Sequence, residues 1–229
     1  MDERLAAAPS PLASDHNNVA GCRPRRVALL LFDDVEVLDF AGPFEVFGVS
    51  RLDNGQPVFE VFTFSLNPGE IVARNGLRVV PTCTAKDVGK VDVLVVPGGM
   101  GTRRELTRPE MLDCIRTISR SAEVTLSVCT GALLLGAAGL LAGRSATTHS
   151  QAIQELRSLN SGAEIFPSAR IVDNGSIVTS AGISAGIDAA LYVVARLLGE
   201  TIADGTARYM QYDWAHRAVD GRNIIRAGG

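Results

Sequence analysis

The chain has 229 residues, 46% of them hydrophobic and 21% charged, with a formal net charge of −3. That length fits one sizeable domain, and the composition excludes wholesale disorder and fibrous classes. The slightly acidic balance offers no electrostatic grip on nucleic acid or anionic lipid, and apolar runs such as Val27–Phe32 and Val93–Val96 fall far short of the roughly 20 residues that cross a bilayer.

Residues 1–24 carry Pro9, Pro11, Asn17, Asn18 and Gly21 and lack the apolar core of a secretory signal, so they read as a disordered leader. Arg26–Phe32 is nearly continuous in apolar residues and predicts a strand buried on both faces. A helix is expected over Ala41–Arg51, with Pro43 in its first turn. Val58–Ser65 reads as a strand, and Val72–Pro81 as its follower across the hairpin dipeptide Asn75-Gly76. Val91–Pro97 is a second doubly buried strand, stopping at Gly98-Gly99, and Met111–Arg120 has helical spacing. Val124–Val128 is a short strand that passes directly into Thr130–Leu141, a helix without a charge that must lie in the interior.

Beyond it, a helix is expected over Gln151–Leu159. Short strands follow at Glu164–Phe166, Arg170–Val172 and Ser176–Ser180 around the Asn174-Gly175 turn, then helices at Ala185–Leu198 and Thr201–Asp213. Strands alternating with helices predict an α/β three-layer sandwich with a mostly parallel central sheet over residues 25–214, and residues 215–229 read as a tail.

In open α/β sheets, sites form at the carboxyl ends of strands. Of the four cysteines, Cys22, Cys83, Cys114 and Cys129, none has C-x-x-C spacing, and three scattered histidines offer no metal site; the pattern suits a reducing, cytoplasmic setting. Cys129 falls where strand turns into helix without a loop, which places a thiol at a helix N-terminus as a nucleophile whose thiolate the dipole favours; the alternative is an inert buried cysteine. Gly98 and Gly99 offer backbone N–H groups for an oxyanion, or simply end a strand. Asp39, in an apolar setting, is either an acid with a raised pKa or a helix N-cap. His149 reads as structural, Asp33, Asp34 and Glu36 as solvated charges, and Arg103, Arg104 and Arg108 as a basic face that is either solvated or open to an anionic substrate. Phe40, Phe44, Met100 and Tyr212 are candidate pocket residues.

Five segments resemble the ThiJ/PfpI superfamily, which shares the flavodoxin-like fold of class I glutamine amidotransferases. They are D-x-A-G-P at Asp39–Pro43, V-V-P-G-G at Val95–Gly99, S-V-C-T-G-A at Ser127–Ala132, the run Gly139–His149, and T-S-A-G-I-S-A-G-I-D at Thr179–Asp188. Aspartate at position 39 and threonine after the cysteine look most like the isocyanide hydratases of that superfamily. The resemblance implies a homodimeric, cofactor-free enzyme acting on a small molecule, while the charge balance, the short apolar runs and the scattered histidines leave no nucleic-acid partner, membrane partner or metal expected. It implies Cys129 as nucleophile, Asp39 as acid and Thr130 as orienting hydroxyl, with backbone at Gly98, Gly99, Thr130, Gly182 and Ile183 supporting the intermediate. The same domain also forms the sensing half of AraC-type transcription regulators, but 15 residues after Trp214 are too few for a pair of helix-turn-helix units. A redox or ligand sensor, and glyoxalase or deglycase chemistry on dicarbonyls, are the alternatives.

Overall fold

The computed structural model describes residues 23–159, 162–214 and 224–227. All but the last two positions of the expected leader, and most of the expected tail, lie outside the described residues.

Eight strands form the central sheet. In chain order the elements are β1 (Arg25–Leu30), α1 (Val37–Val49), β2 (Phe59–Ser65), β3 (Ile71–Val72), β4 (Arg78–Val79), β5 (Cys83–Thr84), β6 (Val93–Val96), α2 (Thr102–Glu105), α3 (Pro109–Ser121) and β7 (Val124–Val128). They continue with α4 (Gly131–Ala137), β8 (Ser145–Ala146), α5 (Ile153–Ser158), β9 (Glu164–Ile165), β10 (Ile171–Asp173), β11 (Ile177–Ser180), α6 (Ala185–Leu198), α7 (Glu200–Tyr209) and β12 (Ile224–Arg226). The sheet order is β12-β10-β11-β7-β6-β1-β2-β5, and every pair but β10–β11 is parallel.

The continuous apolar runs predicted two doubly buried strands: β6 is buried at every position and β1 from Val27 to Leu30, and the short strands β7 and β11 are buried throughout as well. Helices α1, α6 and α7 pack together on one side, and α4 is surrounded by α2, α3 and α5 on the other. The α4 segment is buried from Gly131 to Gly136, as its lack of charge requires. Among the described residues, no helix is long and apolar enough to cross a membrane.

Three local differences bear on the site. Helix α1 begins at Val37, four residues before the expected start, so Asp39 sits in its first turn and Pro43 in its second. Proline at that place cannot donate to the carbonyl four residues back, which is that of Asp39. The Asn75-Gly76 turn does form a hairpin, but its strands β3 and β4 pair only with each other, outside the central sheet. Ile224–Arg226, assigned to the tail from sequence, pairs with β10 as an edge strand of that sheet.

Candidate active site

The register brings three chain segments to one end of the sheet. Val96 lies beside Ser127, and Val128 beside Ser180, so the residues leaving β6, β7 and β11 emerge together. Helix α1, which follows β1, adds its first turn to the same end, next to where the strand order reverses between β1 and β6.

Cys129 is the single residue between β7 and the turn into α4, and its φ of 57° lies in the left-handed region. That conformation is strained for a side chain with a Cβ, by about 1–3 kcal/mol, and persists only where the surroundings fix it. Here they do: Cys129 N–H reaches the Ser180 and Ala181 carbonyls at 3.2 and 3.3 Å, and the Thr148 hydroxyl donates to the Cys129 carbonyl at 2.7 Å. Gly131 follows because a Cβ there would collide with the Val96 carbonyl oxygen. The strand thus turns sharply into the helix and leaves the Cys129 side chain projecting at the sheet's end.

Asp39 is fully buried. Its Oδ2 accepts the Gly98 N–H at 3.0 Å, while Oδ1 accepts no hydrogen bond from the described residues. Burial raises the carboxyl pKa to about 7, the Gly98 N–H and the Cys129 thiol pull it down, and the nearby Glu36 charge adds to the rise. The Cys129 thiol, 6% exposed, is pushed up to about 12, first by burial and then by the Asp39 charge. The N–H and hydroxyl of Thr130 act against that rise. The sequence predicted a thiolate favoured by the helix dipole; desolvation and the neighbouring carboxylate outweigh it.

Thr130 ties the nucleophile's turn to the β6 loop. Gly99 N–H donates to Thr130 Oγ1 at 2.9 Å. The N–H groups of Gly98 and Gly99 are therefore committed to Asp39 and Thr130, which corrects the expectation that they would meet an oxyanion: they hold the acid and the hydroxyl. A Cβ on Gly98 would lie 2.5 Å from Thr130 N and 2.9 Å from Asp39 Oδ2, so only glycine lets these groups close in. Gly182 does the same on the other side, where a Cβ would strike the His149 ring and come within 2.9 Å of Cys129 Sγ.

A cavity of about 230 Å³ opens onto Cys129 and Thr130, and is also lined by Glu36, Arg74, Gly99, Met100, Arg103, His149, Gln151, Ala152 and Ile183. Of the expected pocket residues only Met100 lines it; Phe40 is buried in the core, Phe44 is partly exposed on α1, and Tyr212 donates to Asp188 Oδ1 at 3.0 Å. His149 has both a structural and a cavity role, since its Nδ1 accepts the Gln151 N–H at 3.2 Å while its ring forms part of the wall. Glu36, read from sequence as solvated, faces the cavity. Arg74 was missed because its hairpin is placed only by tertiary bonds: Val72 N–H to Asp33 Oδ1, Asp34 N–H to the Val72 carbonyl and Arg74 N–H to the Val35 carbonyl, each at 2.8 Å. Arg103 borders the cavity with its guanidinium held by Glu155, whereas Arg104 and Arg108 both pair with the buried Glu105. Cys83 and Cys114 are free thiols away from this cavity, and burial pushes Cys114 up to about 11. Among the described residues, no cluster of His, Cys, Asp and Glu is placed to hold a metal ion.

The chain is similar in sequence and fold to known proteins. The isonitrile hydratase of Pseudomonas putida is 35% identical over 187 residues, covering 82% of this chain and 78% of that one. A ThiJ/PfpI family protein from Pseudomonas syringae has a crystal structure that superposes with a TM-score of 0.77 at 30% identity, over 94% of this chain and 86% of that one. The HTH-type transcriptional regulator GbdR of Pseudomonas aeruginosa is 25% identical over 207 residues, and the match covers 54% of the regulator's length. The family profile of DJ-1/PfpI matches residues 25–196, and on that match, with the parallel sheet and the cysteine turn it places, the chain belongs to the DJ-1/PfpI family.

Proposed function

We propose that the protein hydrates an organic isocyanide to the N-substituted formamide, with Cys129 as nucleophile and Asp39 as the proton carrier. The observation that carries the reading is the Asp39 carboxyl. One oxygen is fixed by Gly98 N–H, the other is buried and accepts no hydrogen bond from a backbone or polar N–H or O–H of the described residues, and the pKa of about 7 makes both protonation states accessible beside the Cys129 thiol. The 35% identity to an isonitrile hydratase supports an isocyanide as the substrate class.

The terminal carbon of R–N≡C accepts a sulfur and a proton on the same atom. Cys129 loses its proton to the Asp39 carboxylate as sulfur attacks, and Asp39 returns that proton to the carbon, giving the thioimidate R–N=CH–S–Cys129. Water then adds to this carbon as Asp39 takes one of its protons and passes it to the imine nitrogen. The tetrahedral adduct R–NH–CH(OH)–S–Cys129 collapses to R–NH–CHO as the sulfur leaves and Asp39 carries the hydroxyl proton to it. Thr130 orients the sulfur, and Gly182 and Ile183 shape the wall where substrate approaches.

Formamide production from one aryl and one alkyl isocyanide, measured for the parent and Cys129→Ala, tests the reading. Turnover by the parent and none by the folded variant are expected. Equal rates would refute covalent catalysis through Cys129. A ligand-sensing role draws support from the similarity to GbdR; saturable binding of an isocyanide without formamide production would favour it. We also expect a homodimer, supported by the exposed Leu38 and Phe44 on α1 and checked by the mass in solution.

A further inference from the structure

Arg74 puts a cation at the rim of the Cys129 cavity that no described residue neutralises. Its side chain is exposed and has no hydrogen-bond or ion-pair partner among the described residues. Glu36 adjoins it through Val35 and lines the same cavity, yet the two make no ion pair. Arg103, the other arginine on this wall, is held by both carboxylate oxygens of Glu155. Other arginines without a side-chain partner, such as Arg120 on α3, stand away from the cavity.

The backbone fixes where the Arg74 charge stands. Arg74 N–H donates to the Val35 carbonyl at 2.8 Å, and Val35 forms an antiparallel bridge with Gly99, whose own N–H holds Thr130 Oγ1. From the same segment, Glu36 N–H donates to the Gly98 carbonyl at 2.9 Å. The hairpin rim is thus tied through Val35 to the loop beside the nucleophile. The planar fork of five guanidinium N–H donors matches a carboxylate.

Charge is unevenly spread around the sulfur. Asp39 and Glu36 lie together at the start of α1, where the Glu36 charge also raises the Asp39 carboxyl. An anionic group on a substrate is repelled from that side and drawn to the hairpin. The isocyano group carries no net charge and suits Cys129, on the buried side of the cavity, while Met100 and Ile183 offer apolar contact to the body of the molecule.

We propose that Arg74 determines specificity for an isocyanide whose substituent carries a carboxylate: the guanidinium takes the anion at the cavity rim while the isocyano carbon lies against Cys129. The proposal rests on isocyanide hydration at Cys129 and names the class of substrate.

The test uses two pairs of probes, each differing only in a carboxylate against a carboxamide. The para-isocyanobenzoate and para-isocyanobenzamide pair reads kcat/KM. The para-iodoacetamido derivatives of benzoate and benzamide read alkylation of Cys129 at about pH 8.5, resolved from the other cysteines by peptide mass spectrometry. In the parent the anionic member of each pair is expected to react faster, and salt at about 0.5 M to narrow the difference. Arg74→Gln removes the charge and no existing side-chain bond, so the fold is kept. The ratio of anionic to neutral rates is expected to fall about tenfold in both assays, the size of one charge-assisted contact. Arg120→Gln makes the same change in net charge away from the cavity and leaves both ratios as in the parent. No preference for the anion in the parent, unchanged ratios in Arg74→Gln, or an equal fall in Arg120→Gln overturns the proposal. If the parent turns over neither isocyanide, the reading of function fails, while the alkylation ratios still judge whether Arg74 receives an anion beside Cys129.

Discussion

Asp39 and Cys129 act on each other in opposite senses. The thiol's hydrogen bond lowers the carboxyl, whereas the carboxylate's charge raises the thiol, and burial raises both. Just above neutrality the pair therefore holds one proton, resting on sulfur, with a carboxylate beside it ready to take it. The arrangement suits a nucleophile that is released only when an electrophile occupies the pocket. It argues against a standing thiolate of the kind that oxidises readily.

Asp39→Asn separates thiol reactivity from catalysis. Removing the negative charge lowers the Cys129 pKa, so alkylation by iodoacetamide at pH 8 is expected to accelerate, roughly tenfold for each unit the pKa falls. Isocyanide hydration is expected to drop at least a hundredfold, in line with the loss of a general acid–base group. Parallel alkylation and formamide assays on one preparation check the pair of outcomes; slowed alkylation would show that Asp39 activates the thiol at rest.

The same carboxyl makes stability depend on pH. It ionises near 3.8 in an unfolded chain and near 7 in the native one, so between these values the unfolded state binds fewer protons. Its contribution is thus full below about pH 4 and is lost as pH rises toward 7, by on the order of 4 kcal/mol. Asp39→Asn removes this loss. The variant is expected to unfold at higher urea than the parent at pH 8 and at similar urea at pH 4. Urea midpoints of both proteins at the two pH values check this.

The parts of the site written into contiguous residues were legible in the sequence. Cys129 stood out because only Cys129 and Thr130 lie between β7 and α4, and the uncharged run after it could only be interior. The buried runs at β1, β6 and β7 fixed the sheet for the same reason, since period and polarity are local properties. What sequence could not show was set by contacts distant along the chain. Glu36 and Arg74 look solvated until the hairpin bonds place them on the cavity. Gly98 and Gly99 read as donors to an oxyanion, because only the fold shows that Asp39 and Thr130 already hold their N–H groups. Edge strands β5 and β12, of two and three residues, are too short for any pattern.

The left-handed backbone at Cys129 predicts a difference between two inactive variants. Cys129→Ala keeps a Cβ at φ 57° and keeps the strain, whereas Cys129→Gly relieves it. Both are expected to lose turnover. The glycine variant should be the more stable of the two by about 1 kcal/mol, the balance of relieved strain against its greater unfolded-state entropy. Thermal melts of the two proteins side by side check the order; a less stable glycine variant would mean that the turn carries no strain.

Gly182→Ala tests the close approach that the cavity depends on. The added methyl would meet the His149 ring, which cannot easily retreat because its Nδ1 holds the Gln151 N–H, and would lie 2.9 Å from the Cys129 sulfur. The sulfur must therefore rotate away from Asp39 or the wall must shift by several tenths of an ångström. Displacements of about 1 Å at a reacting centre cost on the order of a hundredfold in rate, so a loss of that size in kcat/KM is expected, with overpacking lowering stability by about 1–3 kcal/mol. Gly48→Ala in α1, where a Cβ meets nothing within 4 Å, is the matched control and should leave activity unchanged while stabilising the helix by up to about 1 kcal/mol. Activity and melting temperature measured for both variants distinguish a steric effect at the sulfur from a general intolerance of alanine. Full activity in Gly182→Ala would show that substrate reaches Cys129 from another side of the cavity.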